Sequence, residues 1–490
     1  MNRRSFIKNI AGASLAAGSL LTLARANPNR ETSETTRRPN AYNNIIPPER
    51  KVRLAFIGCG SGTLEAGKPR ADRPYDPARG VGGGGRGIAN IEGFIDAGAE
   101  IAVLCDVNDV QSAEARSRFP KAPYFRDYRR MFDEAAHLFD AVVVTTVEHM
   151  HYPPALLALN RSKHIYVEKP LTHTIAEARS LREAAARTGL VTQLGNQGHA
   201  GHGTRLVKEW VDAGIIGAPR EVIIWSSPES KASNATRKWP PAEPVPAYFD
   251  WNLWKGVAPD EIPYNAKMTN SGPGNSPGSN NFWHFGCGIG GMGSHLMDAP
   301  WWALELGGNC KVSADISGWD KTAISIPGSY TINWEIPSRG NKPPCKMKWH
   351  QRTMPELPRE LGFEPGVPPS IFGFLIIGDK GGISMNDPYC TTPRLLPAAL
   401  RQQERENPVP RTIPRIPKGD QYAEWLRAIQ GIGPAPGSNI VDYSASQTET
   451  ILLANVALRT GRAIEWDSAA GACVNDPEAN QFLTKTYRKF

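Results

Sequence analysis

The segment His164-Ile-Tyr-Val-Glu-Lys-Pro-Leu171 decides the fold of this chain. Ile165–Val167 is apolar and rich in strand-forming residues, which predicts a short buried strand. Pro170 ends that strand, because proline lacks the N–H group that a central strand donates. In an open parallel sheet, ligands bind just beyond the carboxyl ends of the strands. Lys169 is therefore placed to reach a reacting oxygen, and a buried pair with Glu168 would fix its position; the alternative is an ordinary surface ion pair.

A second buried strand and a glycine loop lie upstream. Val52–Ile57 runs directly into Gly58-Cys59-Gly60. A dinucleotide-binding fingerprint has its third glycine three residues later, whereas here Ser61–Gly84 intervenes before Gly85-Arg86-Gly87 opens a helix. We interpret this as a split fingerprint, in which glycines let the backbone approach a pyrophosphate at the helix N-terminus. The insertion either clasps the phosphates or packs against a neighbouring subunit; its basic residues are Lys68, Arg70, Arg73 and Arg79.

Strands and helices alternate after the loop. The strand Glu100–Cys105 ends on Asp106, where a carboxylate can accept hydrogen bonds from the adenosine ribose. A carboxylate there repels a 2′-phosphate, so we expect NAD rather than NADP. A helix near Val110, a strand within Asp140–Thr146, a helix at Ile175–Thr188 and a strand at Leu190–Leu194 follow. This alternation predicts a doubly wound parallel sheet, a Rossmann domain over residues 51–196.

The first 26 residues have the pattern of a twin-arginine signal peptide. Arg3-Arg4 precedes an apolar run, Ile10–Leu23, and an A-x-A cleavage site, Ala24-Arg25-Ala26. Neither this run nor any other is long enough to span a bilayer. Twin-arginine export carries folded proteins, so we expect a periplasmic mature protein; the alternative is a disordered basic tail. Residues 27–50 predict an extended linker.

Net charge, cysteine content and length limit the classes of protein to which the chain can belong. The signal peptide carries four cations and no acids, so its removal lowers the net charge from +8 to +4. A charge of that size on so long a chain argues against a nucleic-acid partner. The seven cysteines are scattered without a CxxC pair, and we expect no disulfide. A length of 490 residues predicts two or three domains.

Together these motifs resemble the Gfo/Idh/MocA oxidoreductases, in particular their exported twin-arginine branch. The resemblance rests on Glu168-Lys-Pro170, Thr146-Val-Glu-His-Met-His151, Gly195-Asn-Gln-Gly-His199, Gly293-Ser-His295 with Asp298, and Trp251 with Trp254. It implies a Rossmann domain followed by an α/β domain, here residues 197–490, with an open, mostly antiparallel sheet. The active site would lie in the cleft between the two domains.

The resemblance also implies roles for particular residues. Lys169 would orient the substrate hydroxyl, His295 would act as general base, and the bond before Pro170 would be cis. We assign further catalytic roles to Asp298 and His284. The remaining cofactor-binding candidates are Thr146, His149, Glu168, Asn196 and Gln197.

The chain departs from the family pattern at the base itself. Gly291 stands four residues before His295, where the family usually has an acid, and His284 stands where the exported branch tends to have one. A neighbouring acid normally raises the basicity of a histidine and fixes its orientation. The split fingerprint is the third departure.

The second domain carries signs of carbohydrate binding. Ser226–Asn281 lacks sustained periodicity, and so long a loop is usually functional, so we expect it to form the cleft wall. Its aromatic side chains, and those just beyond it, can stack on sugar rings or instead fill the core. The proposed substrate contacts are His199, Trp254, Tyr264 and Trp283. Elsewhere the sequence predicts strands at Arg220–Trp225, Thr331–Trp334 and Phe372–Gly378 and a final helix at Ala445–Leu458.

Eight of the ten histidines fall between residues 149 and 295. Imidazoles are common metal ligands, but no closely spaced carboxylate–histidine signature accompanies them, and we expect no metal. The sequence thus predicts an exported oxidoreductase with tightly bound, recycled NAD that acts on a hydroxyl of a sugar, glycoside or cyclitol. Two alternatives remain: a glycoside-cleaving enzyme that works by transient oxidation and elimination, and a non-catalytic sugar-binding protein. We also expect a homo-oligomer.

Overall fold

A computed structural model provides the coordinates of the chain. It describes residues 42–60, 86–228, 236–269, 278–318, 320–367 and 370–490. The predicted signal peptide, the insertion Ser61–Gly84 and Gly85 lie outside these ranges.

The first sheet has six parallel strands in the order β3-β2-β1-β4-β5-β6. Its strands are β1 (Arg53–Ile57), β2 (Glu100–Cys105), β3 (Tyr124–Phe125), β4 (Ala141–Val144), β5 (His164–Glu168) and β6 (Thr192–Gly195). The connecting helices are α1 (Arg86–Asp96), α2 (Ala113–Arg118), α3 (Tyr128–Ala135), α4 (Tyr152–Asn160) and α5 (Ile175–Thr188). The prediction of a doubly wound Rossmann sheet is confirmed, since this strand order reverses at β1.

Local sequence explains the ends of α5, which match the predicted helix. Thr174 accepts a hydrogen bond from the backbone of Glu177, whose side chain bonds back to the Thr174 backbone, so the two form a capping box. At the other end Gly189 adopts the left-handed conformation (φ 62°), which glycine tolerates without strain. The following chain then turns directly into β6.

The second sheet has nine strands in the order β13-β12-β11-β7-β10-β9-β8-β14-β15. Only β7 and β10 run parallel, so the expected open and mostly antiparallel sheet is confirmed. The strands are β7 (Pro219–Ser226), β8 (Cys310–Asp315), β9 (Tyr330–Ile336), β10 (Cys345–Gln351), β11 (Phe372–Gly378), β12 (Gly382–Met385), β13 (Arg394–Leu396), β14 (Ile464–Asp467) and β15 (Ala472–Cys473).

Helices cover one face of this sheet and fill the long loop. The helices are α6 (His202–Asp212), α7 (Trp251–Lys255), α8 (Ala266–Thr269), α9 (Gly290–Leu296), α10 (Asp298–Leu304), α11 (Ala398–Glu406), α12 (Gln421–Ile429) and α13 (Ala445–Thr460). Buried side chains of α6, α10 and α13 join those of β8, β9 and β10 in one apolar core. The sheet is thereby fixed beside the first domain, because α13 also contacts α5.

The chain returns to the first sheet after it has built most of the second. Tyr422, Trp425 and Ile429 of α12 belong to the same apolar core as Phe94 of α1 and Tyr166 of β5. This segment lies within the range 197–490 that the sequence assigns to the second domain, yet it closes one face of the Rossmann sheet. The end of the predicted linker joins the same core: Ile46 is buried, and its N–H donates to the Ile429 carbonyl at 3.0 Å.

The seven cysteines are all buried and free, and burial raises the pKa of the Cys59 and Cys105 thiols well above the usual range. Within the described ranges, the helices are too short or too polar to span a bilayer.

The packing of α12 against the first sheet leads to a prediction about the stability of the fold. Trp425 is 0% exposed, and its ring centroid lies 5.4 Å from that of Phe94 and 5.8 Å from that of Tyr166. Trp425→Ala should lower the free energy of unfolding by about 3–5 kcal/mol, because it leaves a cavity between α12 and the sheet. Urea unfolding monitored by circular dichroism measures the change. Tyr248→Ala is the control, since Tyr248 is 45% exposed; similar losses for the two variants would contradict this packing role.

Candidate active site

A cleft of about 950 Å³ runs between the two sheets. On the first domain it is lined by residues at the carboxyl ends of β1, β2, β4 and β5 and by the start of α1. On the second domain it is lined by α9 and by residues at the ends of β7 and β10. This is the position where open parallel sheets bind ligands.

Two glycines allow strand, loop and helix to approach closely at the dinucleotide end of the cleft. Gly58 has φ +89°, and a Cβ there would lie 2.6 Å from the Thr145 carbonyl oxygen. A Cβ on Gly87 would lie 2.6 Å from the backbone of Cys59 and Gly60. Any larger residue would separate α1 from the loop. Gly58, Gly60, Arg86 and Gly87 all line the cleft, so the first turn of α1 opens onto a position where an anion can bind.

Asp106 follows β2 and also lines the cleft, as the sequence predicts. Its carboxylate accepts hydrogen bonds from the backbone N–H groups of Cys59 and Asn108, each at 2.9 Å. Burial raises the pKa of Asp106 to about 6, although these two hydrogen bonds act to lower it. The carboxylate is therefore held rigidly beside the glycine loop and is ionised at neutral pH.

Glu168 pairs with Arg86 and not with its neighbour in sequence, Lys169. Instead of forming the expected pair with Lys169, its Oε1 accepts hydrogen bonds from Arg86 Nε at 3.1 Å, Asn90 Nδ2 at 3.0 Å and Gln197 Nε2 at 3.4 Å. Burial alone would lower the pKa of Arg86, but the Glu168 charge outweighs it and raises that pKa. Glu168 therefore anchors α1 to β5 and leaves the Lys169 ammonium group for another partner.

The carboxylate on which the charge of Lys169 acts is Glu148, which belongs to the motif Thr146–His151 but had no predicted role. Glu148 follows β4, lines the cleft, and accepts hydrogen bonds from the Cys287 N–H at 2.7 Å and from Asn280 Nδ2 at 3.0 Å. Burial raises the pKa of Glu148, while the Cys287 amide and the positive charge of Lys169 lower it in part. A Cβ on Gly291 would lie 3.7 Å from Glu148 Oε1. The acid missing at Gly291 is thus replaced in space by a carboxylate from the opposite domain.

His295 lies on α9, one helical turn after Gly291, and is buried. Burial lowers the pKa of His295 well below its ordinary value, and the charges of Lys169 and Arg86 lower it further. Its Nδ1 has no hydrogen-bond partner in the described part of the chain. The imidazole is therefore neutral at physiological pH and able to accept a proton. The Lys169–Pro170 bond is cis, as expected.

His199 and Asp298 meet each other rather than the cleft. His199 Nδ1 lies 2.8 Å from Asp298 Oδ1, and the Tyr443 hydroxyl donates to the same oxygen. All three residues are buried, and none of them lines the cleft. Asp298, predicted to be catalytic, and His199, predicted to contact the substrate, therefore have no direct access to a ligand in the cleft. The pair instead packs in the interior at the start of α10.

Of the three aromatic residues predicted to contact the substrate, one lines the cleft and two pack elsewhere. Trp254 lines the cleft, whereas Tyr264 packs among the rings of Phe249 and Trp251, and Trp283 packs on the second core beside Arg459. The long loop thus supplies one stacking surface at the cleft and an aromatic core behind it.

The other predicted histidines and amides also lie behind the cleft. His149 is buried, with Nε2 3.1 Å from the carbonyl oxygens of both Trp254 and Lys255. His284 packs its ring against Trp239, and burial lowers its pKa. Thr146 lines the cleft, while the buried Asn196 side chain has no protein partner in the described ranges. Those ranges contain no group of three or more His, Cys, Asp or Glu side chains with a geometry suited to a metal ion.

The structure adds residues from the second sheet that the sequence analysis missed. The cleft is lined there by Ser226, Tyr330, Gln351 and Arg352. The sequence alone does not identify these residues. They can be recognised only when β7 and β10 are known to be parallel neighbours whose carboxyl ends face the first domain.

Comparison with known protein families identifies the type of the first domain. Residues 52–196 match the model of a family described as an oxidoreductase family with an NAD-binding Rossmann fold. The glycines at close-packed positions and the acid after β2 fit that cofactor. Residues 52–196 therefore form an NAD-binding Rossmann domain.

Curated relatives match in part. An inositol 2-dehydrogenase/D-chiro-inositol 3-dehydrogenase of Lacticaseibacillus casei is 33% identical over 144 residues, 28% of this chain and 41% of that protein. A glycosyl hydrolase family 109 protein of Shewanella pealeana is 24% identical over 228 residues, 44% of each chain. The chain therefore spans less than half the length of these relatives.

A solved structure matches over most of the chain. The WlbA dehydrogenase from Chromobacterium violaceum, in complex with NADH and UDP-GlcNAcA, has a TM-score of 0.56 and 16% identity. The match covers 86% of this chain and 99% of that one. It shows that both domains and their arrangement belong to a known fold.

The raised pKa of Asp106 predicts how NAD binding depends on pH. The carboxylate is charged above about pH 6 and protonated below it, and a charged acceptor binds ribose hydroxyls more strongly than a neutral one. NAD affinity should therefore fall about 5- to 10-fold between pH 7.5 and pH 5. Isothermal titration calorimetry at several pH values measures it. In Asp106→Asn, which cannot titrate, affinity should be low and independent of pH; an equal fall in both proteins would contradict the assignment.

Proposed function

We propose that this chain, a member of the Gfo/Idh/MocA family of NAD-dependent oxidoreductases, oxidises a hydroxyl group of a sugar, glycoside or cyclitol. The observation that carries the proposal is that Lys169 and Glu148 line one cleft and interact electrostatically, with the neutral His295 on α9 near them. The same cleft is lined by the dinucleotide end of the first domain and by the wall of the second sheet, whereas His295 is buried just outside its described lining. Inositol, as a substrate of one relative, and sugar chemistry in others support the substrate class.

The residues present fit NAD. Asp106 would hold the adenosine ribose, the first turn of α1 would face the pyrophosphate, and Lys169 would lie at the reacting end. When bound, NAD supplies the hydride acceptor. Glu168 contributes indirectly, because its bonds to Arg86 and Asn90 fix the start of α1 against β5.

The protein's own residues handle the proton of the substrate hydroxyl. Lys169 donates a hydrogen bond to the hydroxyl oxygen and stabilises negative charge that develops there. His295 accepts the proton, because its lowered pKa keeps it neutral and available. Glu148, held by the Cys287 amide, places a negative charge near the Lys169 ammonium group. Trp254 supplies an apolar face against which a sugar ring can stack.

A second candidate function is favoured by Glu148. Simple oxidation needs one proton acceptor, whereas elimination of a glycosidic group also needs one at the carbon beside the new carbonyl. Glu148, which has a raised pKa and lines the cleft, and the buried His295 on the adjoining helix α9 are two such groups. In this reaction the hydroxyl would first be oxidised to a ketone, a base would remove the proton from the neighbouring carbon, and the aglycone would leave as its alcohol. Water would then add across the new double bond, and return of the hydride to the ketone would give the free sugar with no net NADH. The partial match to a glycosyl hydrolase family 109 protein supports this alternative.

We also propose that the protein is exported with NAD already bound. The support is the twin-arginine pattern around Arg3-Arg4, together with the scarcity of free NAD outside the cytoplasm. An exported enzyme would then need a cofactor held with a dissociation constant of roughly nanomolar or tighter and recycled in place. The basic insertion Ser61–Gly84, which leaves the glycine loop, would either clasp the phosphates or pack against a neighbouring subunit.

Lys169→Ala should lower turnover by roughly 10²–10⁴-fold while NAD affinity changes little, because it removes the donor to the reacting oxygen. NADH absorbance and product analysis with a panel of glycosides and inositols measure the effect. Lys121→Ala, at an exposed lysine, is the matched control. Turnover close to that of the parent would remove Lys169 from the mechanism.

Glu148→Gln separates the two reactions in the same assay. If Glu148 only positions Lys169, oxidation and aglycone release should fall together. If it removes the second proton, NADH should still form in a single turnover while release of the aglycone stops. A parent protein that binds sugar but never reduces its nucleotide would instead support a non-catalytic binding protein.

Export with a resident cofactor predicts where the nucleotide is found. Periplasmic extracts should contain the mature protein with about one NAD per chain after extensive dialysis, as expected for slow release. The Arg3→Lys, Arg4→Lys variant, which disrupts the export pattern, should stay in the cytoplasm with its NAD. Recovery of the exported protein without nucleotide would contradict the resident cofactor, and export of the double variant would contradict the route.

A further inference from the structure

The wall of the cleft opposite the Rossmann sheet is built by the two parallel strands of the second sheet. Ser226 at the end of β7 pairs with Gln351 at the end of β10, and both line the cleft. The next residue of each strand, Ser227 (φ 52°) and Arg352 (φ 51°), adopts the left-handed conformation. Such backbone is uncommon for residues other than glycine and tends to occur at binding sites. Both chains thus turn sharply where they meet the cleft.

Arg352 is fixed at this turn with one edge of its guanidinium group unused. Its backbone N–H donates to the Ser226 carbonyl at 2.9 Å, and its Nη1 donates to the Gly328 carbonyl at 3.1 Å. Within the described ranges, Nε is buried without a hydrogen-bond partner, and Nη2 makes no protein hydrogen bond. The Nε–H and Nη2–H groups lie parallel on one edge, which is the fork that binds a carboxylate with two hydrogen bonds.

Within the described part of the chain, no carboxylate forms an ion pair with Arg352. Arg86 pairs with Glu168, Arg126 pairs with Asp109, and Lys169 interacts with Glu148. Within the described ranges, neither Lys169 nor Arg352 has a carboxylate within salt-bridge distance, and of these two Arg352 is the one on the second sheet. The glycine loop and α1, where the cofactor phosphates are expected, belong to the first domain. A cation left unpaired in a partly enclosed site is suited to a negatively charged ligand.

We propose that Arg352 binds an anionic group of the substrate, and that the substrate is therefore an acidic sugar, for which the carboxylate of a uronic acid is the best geometric match. The inference rests on the proposed function for the place of the substrate, and it adds the class of sugar. Gln351 and Ser226, which flank the guanidinium group on the same wall, would bind neighbouring hydroxyl groups.

Equilibrium binding to the NAD-loaded protein tests the proposal independently of turnover. Isothermal titration calorimetry compares methyl glucuronide and methyl galacturonide with the matching neutral methyl hexosides and with the hexose 6-phosphates and 6-sulfates. The parent should bind uronides at least about 10-fold more tightly than neutral hexosides. Arg352→Gln should weaken uronide binding about 10- to 100-fold and leave neutral hexosides nearly unchanged, as expected for a charge-assisted hydrogen bond.

Three further variants make the result specific. Arg352→Lys keeps the charge but not the fork, and should retain part of the preference for uronides. Arg359→Gln removes an exposed arginine outside the cleft lining, and should behave as the parent. Arg352→Asn tolerates the left-handed backbone, so it provides a folded neutral variant if Arg352→Gln is unstable by thermal unfolding.

The outcomes separate this inference from the proposed function. Equal binding of uronides and neutral hexosides by the parent, or a preference that survives in Arg352→Gln and Arg352→Asn, would overturn it. An Arg352-dependent preference for phosphate or sulfate esters alone would support an anion site and overturn its assignment to a carboxylate. If uronides bind through Arg352 but no glycoside is ever oxidised or cleaved, the acidic-sugar site stands and the proposed oxidoreductase activity fails.

Discussion

The buried carboxylate of Glu168 is the interaction on which the rest of the site depends. Its oxygens accept hydrogen bonds from Arg86, Asn90, Gln197 and the Lys169 backbone. These donors come from α1, from the turn after β6 and from the end of β5 itself, so one side chain fixes three segments at the mouth of the sheet. The arrangement requires a glycine beside it, since a Cβ on Gly195 would lie 2.8 Å from Glu168 Oε1. Breaking such a buried pair by removing one partner is strongly destabilising.

Because Glu168 is occupied by Arg86, the chemistry of the cleft depends on a second carboxylate. Glu148 reaches from the first domain to the Cys287 amide of the second, and its oxygen occupies the space that Gly291 leaves beside α9. The same contact therefore joins the two domains and places a negative charge near Lys169. One side chain thus contributes both to the contact between the domains and to the charge balance of the cleft.

Much of the fold could be predicted from the sequence, because local signals determine it. The helix Ile175–Thr188 and the strand Phe372–Gly378 have the bounds that the sequence predicts, since residues close together in the chain carry the signals for both. The order of nine strands could not be predicted, since it depends on pairings between distant segments such as β7 with β10 and β8 with β14.

The site was predicted unevenly for the same reason. Residues directly after parallel strands, such as Asp106 and Lys169, line the cleft because strand ends meet at one edge of the sheet. His199 and Asp298 were selected by motif, which does not reveal that they would satisfy each other in the interior. Glu148 and Arg352 were missed, because their importance comes from groups that are far away in the sequence or left without a counter-charge.

The packing of α12 has a consequence for how the molecule is made. Phe94 and Tyr166 precede the second sheet in the chain, yet the aromatic side chains that cover them, Tyr422 and Trp425, are translated only after strands β7–β13. Domains usually fold as units while synthesis proceeds, but here the nucleotide domain cannot complete its core until most of the second sheet has left the ribosome. The two domains of the molecule are consequently not separable modules. A fragment ending after β6 would expose an aromatic surface and would lack a complete core.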